Sequence, residues 1–238
     1  MLQRLDKLIC SQGAYTRKQA QQLIKDGLVK VDGVIVRDRG FHIEPEKCSI
    51  VLNGKPFGIE RFVYIMLNKP KGVVSATNDK NVKTVIDLVP DDLKRRNLFP
   101  AGRLDITTTG FVLITDDGDF AHRILSPKNH IEKTYEARLA EPISDEQMNF
   151  VADGITLGDG TKCLPAKLKR LEDGEHPLIE IKICEGKYHQ IKRMFAAAGN
   201  GVIELKRTQM GGLKLDEKLS DGECRRLNDE EIAMIEFS

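Results

Sequence analysis

The sequence predicts an α+β protein, with a small N-terminal module over residues 1–58 and a larger domain over residues 61–238. Apolar residues near the N-terminus recur at helical spacing, whereas several later segments alternate between apolar and polar residues as strands do. Turns rich in glycine and aspartate separate these segments, without the regular strand–helix–strand alternation of a doubly wound fold. We therefore expect a mixed, mostly antiparallel sheet in the larger domain.

Composition indicates a globular chain without a membrane span or a secretion signal. Of 238 residues, 40% are hydrophobic and 31% are charged, and no apolar run reaches membrane-spanning length. The first residues carry no hydrophobic signal region, so the expected location is the cytoplasm. The five cysteines are never spaced CxxC, which argues against a disulfide framework and a structural zinc site. The formal net charge of +1 is uninformative about nucleic-acid binding, because local charge distribution matters more.

The N-terminal module is predicted to contain two helices and a hairpin. A first helix is indicated by apolar residues at helical spacing, namely Leu2, Leu5, Leu8 and Ile9. Residues 11–13 end it, Thr16 caps a second helix, and Asp26 and Gly27 end that one. Residues 28–36 form two short strands around an Asp-Gly turn.

An Arg-Leu-Asp triplet occurs twice, at residues 4–6 and 103–105. In the first copy Leu5 belongs to the helical stripe, so Asp6 is expected to point to solvent and receives no catalytic role. In the second copy the triplet lies in a turn that leads into a buried strand over residues 111–114. Catalytic side chains are commonly displayed on such loops, which makes Asp105 the stronger candidate.

The larger domain is predicted to continue with alternating strands and short helices. A strand over residues 61–67 runs into a basic turn at 68–72, and Asp119 caps a helix that ends at 126–127. Further strands cover 132–139 and 179–183, Ser144 caps a helix, and a last acidic helix follows Asn228. A helix over residues 187–198 buries an apolar stripe and presents a polar face with His189, Lys192 and Arg193.

Nucleotide-binding and serine-nucleophile motifs are absent from the sequence. Candidate chemistry therefore rests on carboxylate, tyrosine and basic groups. Asp105 can serve as a nucleophile or a base if it stays ionised and a cation holds it. Arg103 and Lys192 are the candidate cations. We expect neither a cofactor nor a metal ion.

The N-terminal module resembles the S4 RNA-binding module. The resemblance rests on the order helix, helix, basic hairpin, with TRKQAQQLIKDGLVKVDGVIV as its body. Residues 1–60 contain ten Lys/Arg and seven Asp/Glu, which gives this part a charge of about +3. The resemblance implies contacts with RNA phosphates and RNA shape, rather than base edges, from Arg17, Lys18, Lys25 and Lys30.

The larger domain resembles the pseudouridine synthases. Three strings carry the resemblance in order, GRLDITTTGFVLITDDG, EKTY and EGKYHQIKRMFAAAGN, and YIMLNKPKG precedes them. Their wording is most similar to the small-subunit ribosomal RNA type of this family. The resemblance implies an isomerase that needs no cofactor.

Site roles follow from the same resemblance. Asp105 is the catalytic aspartate, Tyr135 packs on the uracil ring and takes part in proton transfer, and Lys192 pairs with Asp105. Arg103 helps to displace the target nucleotide from its stack. Further RNA contacts are expected from Lys69, His189 and Arg193. Lysines at 187 and 192 stand where many relatives have arginine, and lysine cannot make a bidentate contact with a carboxylate.

The expected reaction is the conversion of one uridine of small-subunit ribosomal RNA, uridine 516 of 16S rRNA, into pseudouridine. The expected partner is that RNA or its assembly intermediate, bound by a monomer. Two alternatives stay open: a large-subunit ribosomal RNA substrate, and a non-catalytic ribosome-assembly protein on the same scaffold. The joint presence of Asp105, Tyr135 and Lys192 favours an enzyme.

Overall fold

A computed structural model describes residues 2–236, which form two compact units. The first unit contains residues 2–63 together with 90–98. The second contains residues 64–89 and 99–236. The sequence predicts one boundary near residues 58–61. The structure differs from this prediction in the segment 90–98, which belongs to the first unit.

The first unit joins two helices to short strands around its own apolar core. In chain order its elements are β1 (Gln3–Arg4), α1 (Leu5–Ser11), α2 (Arg17–Lys25), β2 (Val29–Val31), β3 (Val34–Ile35), β4 (His42–Ile43), β5 (Ile50–Leu52) and β6 (Lys55–Pro56). The strands β3, β2, β5 and β6 form one antiparallel sheet in that order, and β1 pairs with β4. The core includes Leu5, Ile9, Ala20, Ile24 and Val29.

Local signals in this unit give most of the predicted elements. The predicted second helix is confirmed as α2, and Thr16 and Gln19 form a reciprocal capping box at its start. The Asp-Gly hairpin is confirmed as well: Asp32 and Gly33 have φ of 49° and 82°, as a two-residue turn between β2 and β3 requires. The predicted first helix begins later than expected, because Leu2 is 65% exposed and residues 3–4 form a strand.

The expectation that Asp6 points to solvent is wrong. Its side chain is fully buried and accepts hydrogen bonds from Arg4, Arg17 and Gln21. Burial by itself raises the pKa of Asp6, but these three donors outweigh it and lower the pKa to about 2. Asp6 is therefore an ionised structural group that ties α1 to α2.

The segment 90–98 packs on the first unit through backbone contacts. Arg95 donates from Nη2 to the carbonyl of Glu60 (2.7 Å) and from Nε to that of Ser11 (3.3 Å). Gly13 has φ of +88°, and a Cβ there would lie 2.0 Å from the carbonyl oxygen of Lys94. Only glycine fits this approach. A segment that comes late in the sequence thus completes the first unit.

The second unit is built on one large sheet with helices packed on it. Its elements are β7 (Tyr64–Lys69), β8 (Phe99–Ala101), β9 (Thr109–Thr115), α3 (Gly118–Leu125), β10 (Lys133–Leu139), α4 (Asp145–Ala152), β11 (Lys167–Glu172), β12 (Leu178–Ile183), α5 (Gln190–Ala197), β13 (Val202–Met210), β14 (Leu213–Lys214), β15 (Cys224–Arg226) and α6 (Asp229–Glu236). The main strand order is β11-β12-β10-β13-β9-β7-β15, with β14 beside β13 and β8 beside β9.

The predicted mixed, mostly antiparallel sheet is confirmed. Of the strand pairs in this sheet, β9 and β13 run parallel and the others antiparallel. Where β9 meets β13, Gly110 has φ of +97° and a Cβ would lie 2.2 Å from the carbonyl oxygen of Arg207. The parallel pair therefore depends on a glycine at the start of β9.

The helix after β9 is capped by a different aspartate from the predicted one. The side chain of Asp117, not Asp119, accepts the backbone N–H of Phe120 at the start of α3. The Tyr64 hydroxyl donates to the same carboxylate at 2.6 Å. Phe120 and Ile124 of α3 pack into a core with Phe111 of β9. Asp119 instead lies exposed in the first turn.

The predicted helix at 187–198 is shorter in the structure. It begins at Gln190 because His189 is left-handed, with φ of 50°, and residues 187–189 form a turn. The predicted apolar stripe is confirmed, since Ile191, Met194 and Phe195 are buried. The Ser144 cap, the half-buried strand β12 and the acidic helix α6 are also confirmed. No helix within residues 2–236 is long and apolar enough to cross a membrane.

Candidate active site

Asp105 lies on a firmly held loop between β8 and β9. Its neighbour Leu104 is buried and bonds with Ser75 in both directions: the Leu104 N–H donates to Ser75 Oγ (3.0 Å), and that hydroxyl donates to the Leu104 carbonyl (2.9 Å). The Thr108 N–H donates to the Asp105 carbonyl at 3.0 Å. These bonds fix the backbone while the Asp105 carboxylate stays partly exposed in a cleft.

Two basic groups near the start of α5 face the Asp105 carboxylate. His189 Nε2 lies 3.5 Å from Oδ1, and Lys192 Nζ lies 3.9 Å from Oδ2. Lys192 also donates to Thr107 Oγ1 at 2.7 Å. The lysine is thus held by the Asp105 loop and offers one long ion pair, as its single ammonium allows. The Asp105 side chain keeps 29% of its surface exposed.

Lys69 lies beneath the Asp105 loop and not at the surface. Its side chain is fully buried and donates to the carbonyls of Pro70 (3.0 Å) and Thr108 (2.8 Å). Burial lowers its pKa to about 8, against the attraction of the Asp105 charge, which raises it. The prediction that Lys69 contacts RNA is wrong, because it has no accessible surface. It supplies a buried positive charge behind Asp105 instead.

Tyr135 of β10 lines the same cleft as Asp105. Arg103, Thr108, His189 and Leu205 complete its walls. The sheet register sets Tyr135 opposite Arg207 of β13. The ring is mostly buried in the cleft wall, and the Arg207 guanidinium lies over it, with Cζ 5.9 Å from the ring centroid.

Arg207 and Lys133 are buried cations that the sequence reading missed. Arg207 donates from Nε to the Phe111 carbonyl (2.7 Å) and from Nη1 to the Tyr135 hydroxyl (3.4 Å). Lys133 donates to the carbonyls of Ile131 and Cys184, and burial lowers its pKa to about 8. Both lie on strands in apolar surroundings. From the sequence pattern alone, charged residues on a strand are predicted to face solvent. Only the sheet register brings Arg207 to Tyr135.

Buried hydrogen bonds and an ion pair hold the turn before α5. Glu185 accepts hydrogen bonds from the Leu164 N–H (2.8 Å) and from Gln190 Nε2 (2.7 Å), and it pairs with Lys187 at 2.8 Å. Gln190 Oε1 in turn accepts the Lys187 N–H at 3.0 Å. These contacts hold residues 185–190 in one conformation beside Asp105. Because the sequence predicted a helix over residues 187–198, these contacts were not anticipated.

The remaining predicted RNA contacts lie in two places. Arg103 is exposed at the cleft, and Arg193 pairs with Asp159 at 2.6 Å near it. The others belong to the first unit, where each is exposed on or just after α2: Arg17, Lys18, Lys25 and Lys30. Arg17 additionally donates to the buried Asp6. Within residues 2–236, no group of three or more His, Cys, Asp or Glu side chains is placed to hold a metal ion.

Two family models match this chain, and together they define its class. Residues 63–197 match the RNA pseudouridylate synthase family, and residues 3–47 match the S4 domain. The chain belongs to the RNA pseudouridylate synthase family and carries an S4 domain before its catalytic domain. The predicted class of enzyme and the predicted domain types are confirmed.

Similar proteins match over nearly the whole length. The chain is 43% identical to the uncharacterized RNA pseudouridine synthase YtzG of Bacillus subtilis, over 98% of both chains. It is also 43% identical to ribosomal small subunit pseudouridine synthase A of Vibrio cholerae and of Escherichia coli K12, over 98% of this chain and 99% of each relative. A crystal structure of a pseudouridylate synthase, 42% identical, covers 98% of this chain and 99% of its own, with a TM-score of 0.68.

Proposed function

We propose that this enzyme converts one uridine of small-subunit ribosomal RNA into pseudouridine, with Asp105 as its nucleophile or base. One observation carries the proposal: Asp105 lies in a cleft with Tyr135 and within 4 Å of both His189 and Lys192. The assignment of the substrate rests on the full-length similarity to two enzymes named for the ribosomal small subunit.

The reaction needs no external group. The bond between uracil N1 and the ribose C1′ breaks, the base turns, and a new bond forms between C5 and C1′. The proton on C5 is lost and N1 gains one, so the atoms balance without an oxidant or an energy source. A carboxylate can either attack C1′ or remove a ribose proton, and a closed cleft keeps water from the detached base.

The side chains in the cleft divide these tasks. Asp105 acts at the sugar, and Lys192 and the buried Lys69 place positive charge near its carboxylate. Tyr135 stacks on the uracil ring and serves in proton transfer, and Arg207 holds its hydroxyl. A uridine inside a helix must leave its stack to reach this cleft. Arg103 at the entrance assists that step.

The target within this proposal is uridine 516 of 16S rRNA, in free RNA or an assembly intermediate. Within the proposal, the enzyme binds this RNA as a monomer in the cytoplasm. The first unit binds nearby RNA through its basic surface, with Arg17, Lys18, Lys25 and Lys30 on phosphates.

Pseudouridine mapping tests the proposal. Small- and large-subunit ribosomal RNA, free and in assembly intermediates, are treated with wild type, Asp105→Asn and the control Asp119→Asn, which removes an exposed carboxylate. We expect one new pseudouridine in small-subunit RNA with wild type and the control, and a loss of at least about 1,000-fold with Asp105→Asn while RNA binding is kept. A site in large-subunit RNA would contradict the substrate. RNA binding without any pseudouridine would contradict the activity.

A further inference from the structure

Tyr188 is an exposed aromatic residue between Lys187 and His189, which both line the cleft. Its side chain is 75% exposed, a larger fraction than any other large hydrophobic side chain in residues 2–236. Within those residues its hydroxyl makes no hydrogen bond. An aromatic ring held out in this way contributes little to the fold, and aromatic rings exposed beside active sites commonly contact ligands.

The ring is nevertheless held in place. It stacks on the imidazole of His189, with ring centroids 3.8 Å apart and planes at 19°. Nε2 of that imidazole lies 3.5 Å from Asp105 Oδ1, so His189 contacts both the Tyr188 ring and the Asp105 carboxylate. The Tyr188 carbonyl accepts a hydrogen bond from Arg193 Nη1 at 3.4 Å.

The backbone under the stack is fixed too. His189 keeps a left-handed conformation, which is uncommon for a residue with a side chain. The buried contacts of Glu185 and Gln190 hold the turn on both sides of Tyr188. The stack is therefore formed before any ligand arrives, which reduces the entropy cost of binding.

The charges around the stack favour a nucleic acid. Arg103 lines the same cleft as His189, and Lys192 lies 3.9 Å from the Asp105 carboxylate that His189 also faces, so both place positive charge in this region. A nucleotide that leaves its helix exposes the face of the next base. An aromatic ring can cover that face whatever the base, because every base offers a π-face.

We propose that Tyr188 stacks on the base next to the target uridine and so holds the opened RNA in the cleft. This inference rests on the proposed function. Tyr188 is a binding residue that recognises RNA by its flat face, while Tyr135, deeper in the cleft, contacts the uridine itself. A protein partner on the same ring is the alternative that the experiments below separate.

Steady-state kinetics with Tyr188→Ala, Tyr188→Phe and Tyr188→Leu test the stacking. Loss of one base–aromatic stack corresponds to a rise in KM of about 10-fold for alanine and a smaller rise for leucine. Phenylalanine keeps the ring, so its KM stays within about 2-fold of wild type. In every variant, kcat stays within about 2-fold because the reacting groups are intact. An unchanged KM in Tyr188→Ala would overturn the inference.

Fluorescence gives a second readout, because the chain contains no tryptophan. Tyr188→Trp places a single indole in the stack, and Phe150→Trp, at a 49% exposed position on α4, is the matched control. Binding of a small-subunit RNA fragment to each, in an Asp105→Asn background, is expected to quench the first emission at least 2-fold more than the second. Equal quenching would contradict a stack at position 188.

The two proposals fail in different ways. If wild-type protein forms no pseudouridine in any RNA, the proposed function fails, and the fluorescence pair still reports whether RNA covers residue 188. If wild type is active and Tyr188→Ala has wild-type KM, only the stacking inference fails.

Discussion

Two aspartates that each follow an Arg-Leu pair have different surroundings. Asp6 is fully buried and paired. Asp105 is partly exposed, its backbone carbonyl accepts one hydrogen bond, and the basic side chains of His189 and Lys192 lie 3.5–3.9 Å from its carboxylate. A carboxylate saturated by three donors is held ionised and cannot approach a substrate. Asp105 keeps its lone pairs available. The same triplet thus has a structural role in one unit and a candidate catalytic role in the other.

Asp6→Asn is expected to destabilise the first unit by about 2 kcal/mol at pH 7, which corresponds to the lowering of its pKa from 3.8 to about 2. A lowered carboxylate pKa stabilises the fold above the unfolded pKa, and the gain is lost as pH falls from about 4 to 2. Hydrogen exchange of amides in α1 and α2 measures this. We expect faster exchange in the variant at pH 7 and convergence of the two proteins near pH 2. An equal difference at both ends would rule out the ionised network.

Lys69 gives opposite pH dependences to activity and stability. Its positive charge near Asp105 is lost as pH rises through about 8, so the single-turnover rate is expected to fall above that pH. Stability moves the other way: the folded protein releases this proton near pH 8 and the unfolded chain near 10.5, so the contribution of Lys69 to stability increases between those values.

A pH–rate profile from 6.5 to 9.5 with wild type and Lys69→Met checks the activity side. The variant is expected to be slow and to lose the fall near pH 8. If the rate of Lys69→Met still falls near pH 8, another group causes the fall. Lys133, whose pKa is also about 8, would then be the next residue to substitute.

Single residues show where a sequence pattern stops being informative. The sequence motifs around Asp105, Tyr135 and Lys192 were enough to nominate these residues. The structure places Asp105 and Tyr135 in one cleft and Lys192 3.9 Å from Asp105, and their catalytic roles are still predictions. The burial of Asp6, Lys69 and Arg207 could not be predicted from the sequence, because charged residues are rarely buried and each has a partner 15 or more residues away.

At the scale of elements, the close approach of β9 and β13 shapes the site. Gly110 is the second residue of β9, just after the Asp105 loop, and β13 carries Arg207 to Tyr135. The backbones can approach only because residue 110 lacks a Cβ. This pair of strands therefore connects the Asp105 loop with β10, the strand that carries Tyr135.

Gly110→Ala is expected to lower the free energy of unfolding by at least about 3 kcal/mol, since its Cβ would overlap a carbonyl oxygen and φ of +97° disfavours it. Gly118→Ala is the control: it lies at the start of α3, a Cβ there meets nothing within 4 Å, and it should be neutral or stabilise by about 0.5–1 kcal/mol. Urea denaturation of both variants provides the comparison. Equal stability of the two would contradict the strand-contact account.

Element types were predictable where local signals exist, and boundaries were not. Thr16, Ser144 and the Asp-Gly turn specify their elements through contacts within four residues. The start of α5 was missed because the left-handed turn at His189 is fixed by Glu185 and Gln190, whose contacts reach other elements. The cap of α3 was misassigned to Asp119 because neighbouring aspartates are equally good caps by type.

At the scale of the whole molecule, RNA binding and chemistry are expected to separate. The exposed lysines of the first unit lie apart in sequence from the catalytic motifs, so they should affect affinity and not the bound reaction. Deleting residues 1–58 is a poor test of this, since it also removes the partners of the segment 90–98. Charge substitution on the intact chain is cleaner.

The triple variant Lys18→Gln, Lys25→Gln, Lys30→Gln is expected to weaken RNA binding about 10-fold or more at low salt and to reduce the salt slope by about 2–3. The rate at saturating RNA should be unchanged. Lys80→Gln, Lys83→Gln, Lys128→Gln, exposed lysines of the second unit, form the control. Affinity that matches the control triple would show that the first unit does not supply the phosphate contacts.

The segment 90–98 also affects the order in which the protein can form during synthesis. Residues 2–63 leave the ribosome before residues 90–98, so their unit is not complete until residue 98 has been made. At about 5–20 residues per second, the delay from residue 63 to residue 98 is about 2–7 s. During that interval the contacts of Lys94 with Gly13 and of Arg95 with the Ser11 carbonyl cannot form, while the first strand of the next unit already emerges. The nascent chain must therefore finish its first unit after it has begun its second.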